Sequence, residues 1–446
     1  MPNIYVVSIL LTLMVFTVSC QEVPNPVLQK EMKQKENITK EILQKDGEIK
    51  DGIIKKDTKR QPPISGATFE KKLNSTERRS VILGAERMDQ YNSKLRNKRI
   101  AILANHTSYI EETHLVDTLI ARRNTIEYIY APEHGFRGRT DAGATVKDGV
   151  DVKTGIQIKS LYGKSKKPSN SDLSKVDIFL IDIQDVGARF YTYITTVSYI
   201  MEACAENNVP VLILDRPNPH AHYVDGPVMS DGLESFVGLH SIPIVYGMTI
   251  GEYGKMLVGE NWLDTGNACD LTVIHCQNYD RNIRYSIPKA PSPNLPNDLA
   301  IQLYPSLCLF EGTTYSEGRG TNKQFQSYGH PDYGAKDFSF IPIPNDGASK
   351  PKLNGVTCYG RDLSYLNVDR IYSFARLDLS YLLDAYNQFE ASKKDFFVDN
   401  NFFELLAGTK ELRKMIIQGK TELEIRASWQ NDLEAFRKIR EKYLLY

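Results

Sequence analysis

The chain has no excess of charge of either sign: 55 Lys and Arg stand against 55 Asp and Glu in 446 residues. That balance excludes a generally basic nucleic-acid binder, although it leaves room for a local basic patch. Apolar stretches of membrane-spanning length are missing too. Ile4 to Val18 is almost wholly apolar but falls short of the roughly 20 residues a spanning helix needs, and a mean hydropathy of −0.37 excludes a polytopic membrane protein. No G-x-G-x-x-G follows the first predicted strand, where Asn105 to Tyr109 contains no glycine, and neither G-x-x-x-x-G-K-S/T nor H-E-x-x-H occurs anywhere. Those gaps remove the glycine cradles that hold nucleotide phosphates and the paired histidines of a zinc-protease helix. His106, His114, His134, His220 and His222 share no metal-ligand spacing. We therefore expect neither a cofactor nor a metal. The six cysteines form no C-x-x-C pair, and five remain once Cys20 is set aside. At least one thiol must be free, and a Cys269–Cys276 disulfide stays open.

The apolar start suits the core of a signal peptide, which we place at residues 1–19. It ends in Thr17-Val18-Ser19-Cys20, small residues before a cysteine, similar to the lipobox at which bacterial signal peptidase cleaves and the cysteine becomes lipidated. The short n-region Met1-Pro2-Asn3 carries no basic residue, and a buried thiol on a hydrophobic helix is the competing reading. Residues 20–75 are rich in Lys, Glu and Gln and nearly free of aromatics, so they cannot bury much apolar surface and read as a lipidated, flexible tether.

From Arg99 onward, short β-rich runs alternate with helical stretches. Arg99–Asn105, Ile126–Ala131, Asp177–Ile183 and Val211–Asp215 are predicted strands. Glu112–Arg123 and Thr192–Asn207 are predicted helices, the second with Ile194, Val197, Ile200, Met201 and Cys204 as its inner stripe. This alternation predicts an α/β fold, a Rossmann-like parallel sheet covered on both faces, over residues 76–265. Ser241–Tyr246 and a helix from Thr249 to Val258 read as its last unit. Residues 266–446 read as a smaller mixed α+β domain that completes a cleft, with an irregular Pro-rich crossover before a helix at Asp298–Phe310. A capping box at Thr421 and Glu424 opens a final helix carrying Leu433 and Phe436.

In open parallel sheets ligands bind at the carboxyl ends of the strands. The first predicted strand is followed by Asn105 and His106; the second by Glu133, His134 and Arg137. After the third come Gln184, Asp185, Arg189, Tyr191 and Tyr193, and after the fourth Arg216 and Asn218. Four loops thus deliver acids, amides, imidazoles and guanidiniums to one edge, more than turn chemistry alone requires. A later loop, Glu311 to Thr321, adds Glu311, Glu317 and Arg319 among three glycines. Carboxylates, tyrosines and arginines together suit an anionic sugar. Glycosidic cleavage needs a protonated carboxyl, and either a second carboxylate or the substrate's own 2-acetamido group at the anomeric carbon. An arginine fork can grip a substrate carboxylate.

The runs Ala104-Asn105-His106-Thr107-Ser108, Pro132-Glu133-His134-Gly135-Phe136-Arg137-Gly138, Asp182 to Tyr193, Leu214 to Pro219 and Glu311-Gly312-Thr313 with Gly318-Arg319-Gly320-Thr321 resemble the NamZ-type exo-β-N-acetylmuramidases from about Gly84 to Tyr446. Thr314 and Gln324 depart from the Asn and Pro commoner in that loop. The resemblance implies release of terminal N-acetylmuramic acid from non-reducing ends of peptidoglycan fragments, without metal or nucleotide. It makes Glu133, in the P-E-H-G motif, the expected acid. Asp182 or Asp185 would then orient the acetamido group or activate water, and Arg189, or failing that Arg216, would hold the lactyl carboxylate. The expected partners are muramyl glycans or muropeptides and, through Cys20, a membrane in the cell envelope; nucleic acid is not one. A non-catalytic, peptidoglycan-binding lipoprotein using the same cleft is the alternative.

Overall fold

The computed structural model describes residues 80–136, 148–163, 165–391 and 393–446. The expected signal peptide, Cys20, the tether and Arg137 lie outside the described residues. Seven strands form the main sheet: β1 (Arg99–Ala104), β2 (Thr125–Ala131), β3 (Gly149–Val150), β4 (Gln157–Ser160), β5 (Ile178–Asp182), β6 (Val211–Leu214) and β7 (Leu271–Ile274). Their order is β7-β6-β5-β1-β2-β4-β3, and only the β3–β4 pair is antiparallel. β5 is buried throughout and β1 everywhere but Arg99, because helices cover both faces. Ala101 and Leu103 of β1 point into one core, Ile100, Ile102 and Ala104 into another. The second is closed by helix Met88–Leu95 and by α1 (Leu115–Ala121). α2 (Tyr193–Glu206) buries the inner stripe expected of it, and α3 (Ile250–Gly259) begins at a capping box between Thr249 and Glu252.

Two expectations about the end of this sheet are corrected. Pro243–Val245 does not join it but pairs antiparallel with Asp225–Val228, since Pro243 has no N–H to give a central ladder. The strand that closes the edge is instead β7, beside β6, so the sheet continues past the boundary drawn at residue 265. The chain places β2 on one side of β1 and later β5 on the other, which puts the switch point of the topology between β1 and β5.

Beyond the crossover, α4 (Asp298–Leu307) tightens into a 3₁₀ turn, Cys308–Gly312. β8 (Ser327–His330), β9 (Ser339–Phe340) and β10 (Cys358–Asp362) form an antiparallel sheet in the order β8-β10-β9. The Thr421–Glu424 capping box opens only Glu422–Ala427. The chain breaks at Ser428 and buried Trp429, and Leu433 and Phe436 lie on the next helix, α5 (Gln430–Glu441). One continuous core runs from Ala101 in the sheet to Phe436 in α5. Cys269 and Cys276 are separate, buried thiols.

Candidate active site

β2 delivers Glu133 to the carboxyl edge of the sheet. His134 and Gly135 both take left-handed backbone angles, φ 71° and 74°, and the Gly135 N–H donates back to the Pro132 carbonyl at 3.0 Å. This tight turn is tied to its neighbours. Thr192, at the start of α2, donates its hydroxyl to Glu133 Oε2 at 2.8 Å. Tyr193 donates to the Glu133 carbonyl at 3.4 Å and accepts from Asn105 Nδ2 at 2.7 Å. Tyr162, after β4, lines the same wall; burial, and then the Glu133 charge, push its phenol above the usual range.

The C-terminal half supplies a second set of charges. Arg319 donates to Glu311 Oε1 at 2.5 Å and pairs with Glu317 Oε1 at 3.3 Å, while Lys352 lies 2.8 Å from Glu317 Oε2. Burial holds the Glu311 carboxyl above the normal carboxylate range, opposed by Arg319. The loop carrying them needs its glycine at 318. Gly318 has φ 79°, and a Cβ there would sit 2.5 Å from the Lys323 carbonyl.

Both sets line one cavity of about 680 Å³, with Glu133, Tyr162, Thr192 and Lys166 from the sheet half and Glu311, Glu317, Arg319, Lys350 and Lys352 from the other. A smaller space of about 40 Å³, lined by His134 and Tyr191, also touches Glu133 and Arg319. Among the described residues no three His, Cys, Asp or Glu side chains gather as a metal site.

Several expected site residues do not reach this cavity. Asp182 is fully buried, its oxygens accepting from Arg216 Nε at 2.6 Å and Nη2 at 3.0 Å. That pair removes both the expected second carboxylate and the reserve arginine. Asp185 accepts from the Gly187 N–H and from Tyr246, and burial raises its carboxyl to about 6. Arg189 is fully buried and donates to the carbonyls of Pro227, Ile242 and Leu406. Burial lowers its guanidinium to about 9, still protonated at neutral pH. It joins segments and has no surface to offer a substrate. Asn218 is spent on the Met248 carbonyl and the His220 N–H, Tyr191 donates to the Pro291 carbonyl, and His106 Nε2 meets the Ala290 carbonyl. Asn105 and Tyr193 position Glu133. Gln184 and Arg216 line a different cavity.

Sequence reasoning missed Tyr162, Thr192, Lys166, Lys350 and Lys352. Tyr162 was hidden because β4 reads Gln-Ile-Lys-Ser, without the apolar run that betrayed the inner strands. The lysines sit in loops whose pattern carries no signal.

Two family models divide the chain between them: "Exo-beta-N-acetylmuramidase NamZ, N-terminal" matches residues 100–299, and the corresponding C-terminal model matches 302–446. The chain belongs to the NamZ family. Among its relatives, the peptidoglycan β-N-acetylmuramidase NamZ of Bacillus subtilis (strain 168) is 36% identical over 380 residues, covering 80% of this chain and 89% of that protein. Two solved structures of DUF1343 family proteins from Bacteroides fragilis NCTC 9343 share the NamZ-family fold seen here. One is 47% identical with a TM-score of 0.76, the other 29% identical with a TM-score of 0.70, and each alignment covers 82% of this chain and 99% of the other.

Proposed function

We propose that this chain is an exo-acting glycoside hydrolase that releases terminal N-acetylmuramic acid from non-reducing ends of peptidoglycan fragments, and that the 680 Å³ cavity is its active site. The observation that carries the assignment is Glu133, held by Thr192 on the wall of a cavity it shares with Glu311, Glu317 and Arg319. Glu133 protonates the glycosidic oxygen as the bond to the anomeric carbon breaks, water adds to that carbon, and the proton it sheds restores the Glu133 carboxyl, which the Thr192 hydroxyl fixes. The Glu311–Arg319–Glu317–Lys352 network faces the sugar. Four cations around the cavity meet three carboxylates, a surplus that suits a substrate with one negative charge. Arg319 and Lys352 are already engaged by glutamates. Lys166 and Lys350 have no carboxylate partner among the described residues and take the lactyl carboxylate.

The test is release of N-acetylmuramic acid from a chromogenic muramide by wild type and Glu133→Gln, which keeps the shape but cannot donate the proton. Loss of about a thousandfold in kcat is expected from removing a general acid; activity within a few-fold of wild type removes Glu133 from the mechanism. From the sequence alone we also propose export and lipid anchoring at Cys20. Incorporation of an alkyne-tagged fatty acid that is absent in Cys20→Ser supports that reading, and labelling of both proteins defeats it.

A further inference from the structure

A second cavity, about 590 Å³, opens at the switch point between β1 and β5, and the catalytic reading makes no use of it. This is where an open parallel sheet ordinarily receives its ligand. The loops after the two strands are locked together there: Thr107 accepts from the Gln184 N–H at 3.1 Å and donates to Asn105 Oδ1 at 2.6 Å. On the cavity wall, Gln184 is 1% exposed. Its amide nitrogen donates to the carbonyls of Asp185 and Pro217, but its Oε1 has no partner among the described residues. A buried acceptor left without a donor costs on the order of 1–3 kcal/mol, so an N–H from outside the chain has a place to bind. Beside it, Arg216 spends Nε and Nη2 on Asp182 and the Tyr109 carbonyl, leaving Nη1 to donate. An acceptor and a donor on one wall are the complement of an amide.

The mouth has a definite sign. The hairpin Tyr109–Ile110 and Thr113–His114 turns through Glu111, at φ 50°, and Glu112. Both carboxylates are exposed at the cavity and neither has an ion-pair partner among the described residues. Of the cations there, Arg216 is neutralised by Asp182 and Arg284 pairs with Asp298 and Asp369, so that Lys289, 4.2 Å from the Tyr109 ring centre, is the positive charge left against the two negative charges of Glu111 and Glu112. The uncompensated charge is negative, which disfavours a phosphate and favours an ammonium.

We propose that this cavity is a second binding site, and that it takes a short peptide with a free ammonium group. Glu111 and Glu112 hold the ammonium, while Gln184 and Arg216 read a backbone amide. That the peptide is a peptidoglycan stem ending in a diamino acid rests on the muramidase reading; the cavity and its charge do not.

Titration calorimetry of the full chain with free L-alanyl-γ-D-glutamyl-meso-diaminopimelate tests this. Saturable binding is expected, about tenfold weaker to Glu111→Gln/Glu112→Gln or when both free amines of the peptide are acetylated, and weakened by Gln184→Leu. Because the hairpin tip is exposed, the double variant should fold and should turn over an unsubstituted muramide as wild type does. Glu133→Gln should bind the peptide normally, so loss of turnover and loss of peptide binding report on separate cavities. Absence of saturable binding in the millimolar range, equal affinity for the double variant, displacement by NADH, or competition by a muramide occupying the catalytic cavity would each overturn the assignment.

Discussion

Asp182→Asn separates a structural role from a catalytic one, because Asp182 lies one strand end away from the loops that build the active site. The wild-type carboxylate is fully buried and meets the Arg216 guanidinium through two hydrogen bonds, at 2.6 and 3.0 Å. An amide in its place keeps one acceptor, loses the charge, and turns an N–H₂ toward a guanidinium that is itself 6% exposed. Removing one partner of such a pair costs about 3–5 kcal/mol, most of it from the charge left without compensation. With a urea m-value of about 3 kcal/mol/M, the unfolding midpoint drops by roughly 1–1.7 M. Adding Arg216→Met removes the stranded charge and should recover most of the loss, so the double-mutant cycle returns a large coupling energy. Muramide turnover, measured where the variant remains folded, should stay within a few-fold of wild type. If Asp182→Asn shifts the midpoint by less than about 0.3 M while kcat falls a hundredfold, Asp182 acts on the substrate and the reasoning fails.

Other side chains around the two cavities can be probed in the same way. Tyr162→Phe removes the hydroxyl that shares the cavity wall with Glu133 and should lower kcat about tenfold with little change in KM; an unchanged kcat argues against a role for that hydroxyl. Arg189→Ala should lower the urea midpoint and leave KM for the muramide unaltered, and a KM rise at constant stability would restore it as a carboxylate ligand. Lys166→Ala/Lys350→Ala should raise KM for the muramide but not for its lactyl carboxamide; equal effects on both would show that these lysines do not read the charge. The Asp185 carboxyl titrates near 6 in the native protein against 3.8 ordinarily, so the folded state binds more protons between those values. The cost of burying its charge is present above pH 6 and is relieved as pH falls from 6 toward 4, by up to about 1.4 kcal/mol per pH unit. An Asp185→Asn variant with the same pH slope of urea midpoints as wild type would contradict this.

The inner strands were readable because burial on both faces demands unbroken apolar runs, and β1, β5 and β6 have them. β4 was not, since a half-exposed strand next to the end of the sheet has no such run. Glu133, Glu311, Glu317 and Arg319 were found by their glycine-flanked loops, and the structure brings them together. Asp182, at the end of β5, and Asp185, Arg189 and Arg216, in equally rich loops, are instead engaged by buried partners. Chain position puts a residue at the right edge of a sheet, whereas the direction of its side chain depends on partners far away in sequence: Arg189 reaches Leu406, more than two hundred residues on. The lysines were invisible because nothing local distinguishes a lysine that lines a cavity from one that meets only water.

The core that runs without a break from Ala101 to Phe436 means that the two segments recognised by separate family models are not exchangeable modules. The first would keep only the core on one face of its sheet, from Ala85 to Ile274, and the other face and the whole second segment would lose theirs. The gap between Glu133 and Glu311 is consequently set by packing, like the jaw of a fixed wrench. Recognition of a glycan end then depends on whether it fits that opening, and denaturation should remove both walls in a single cooperative step.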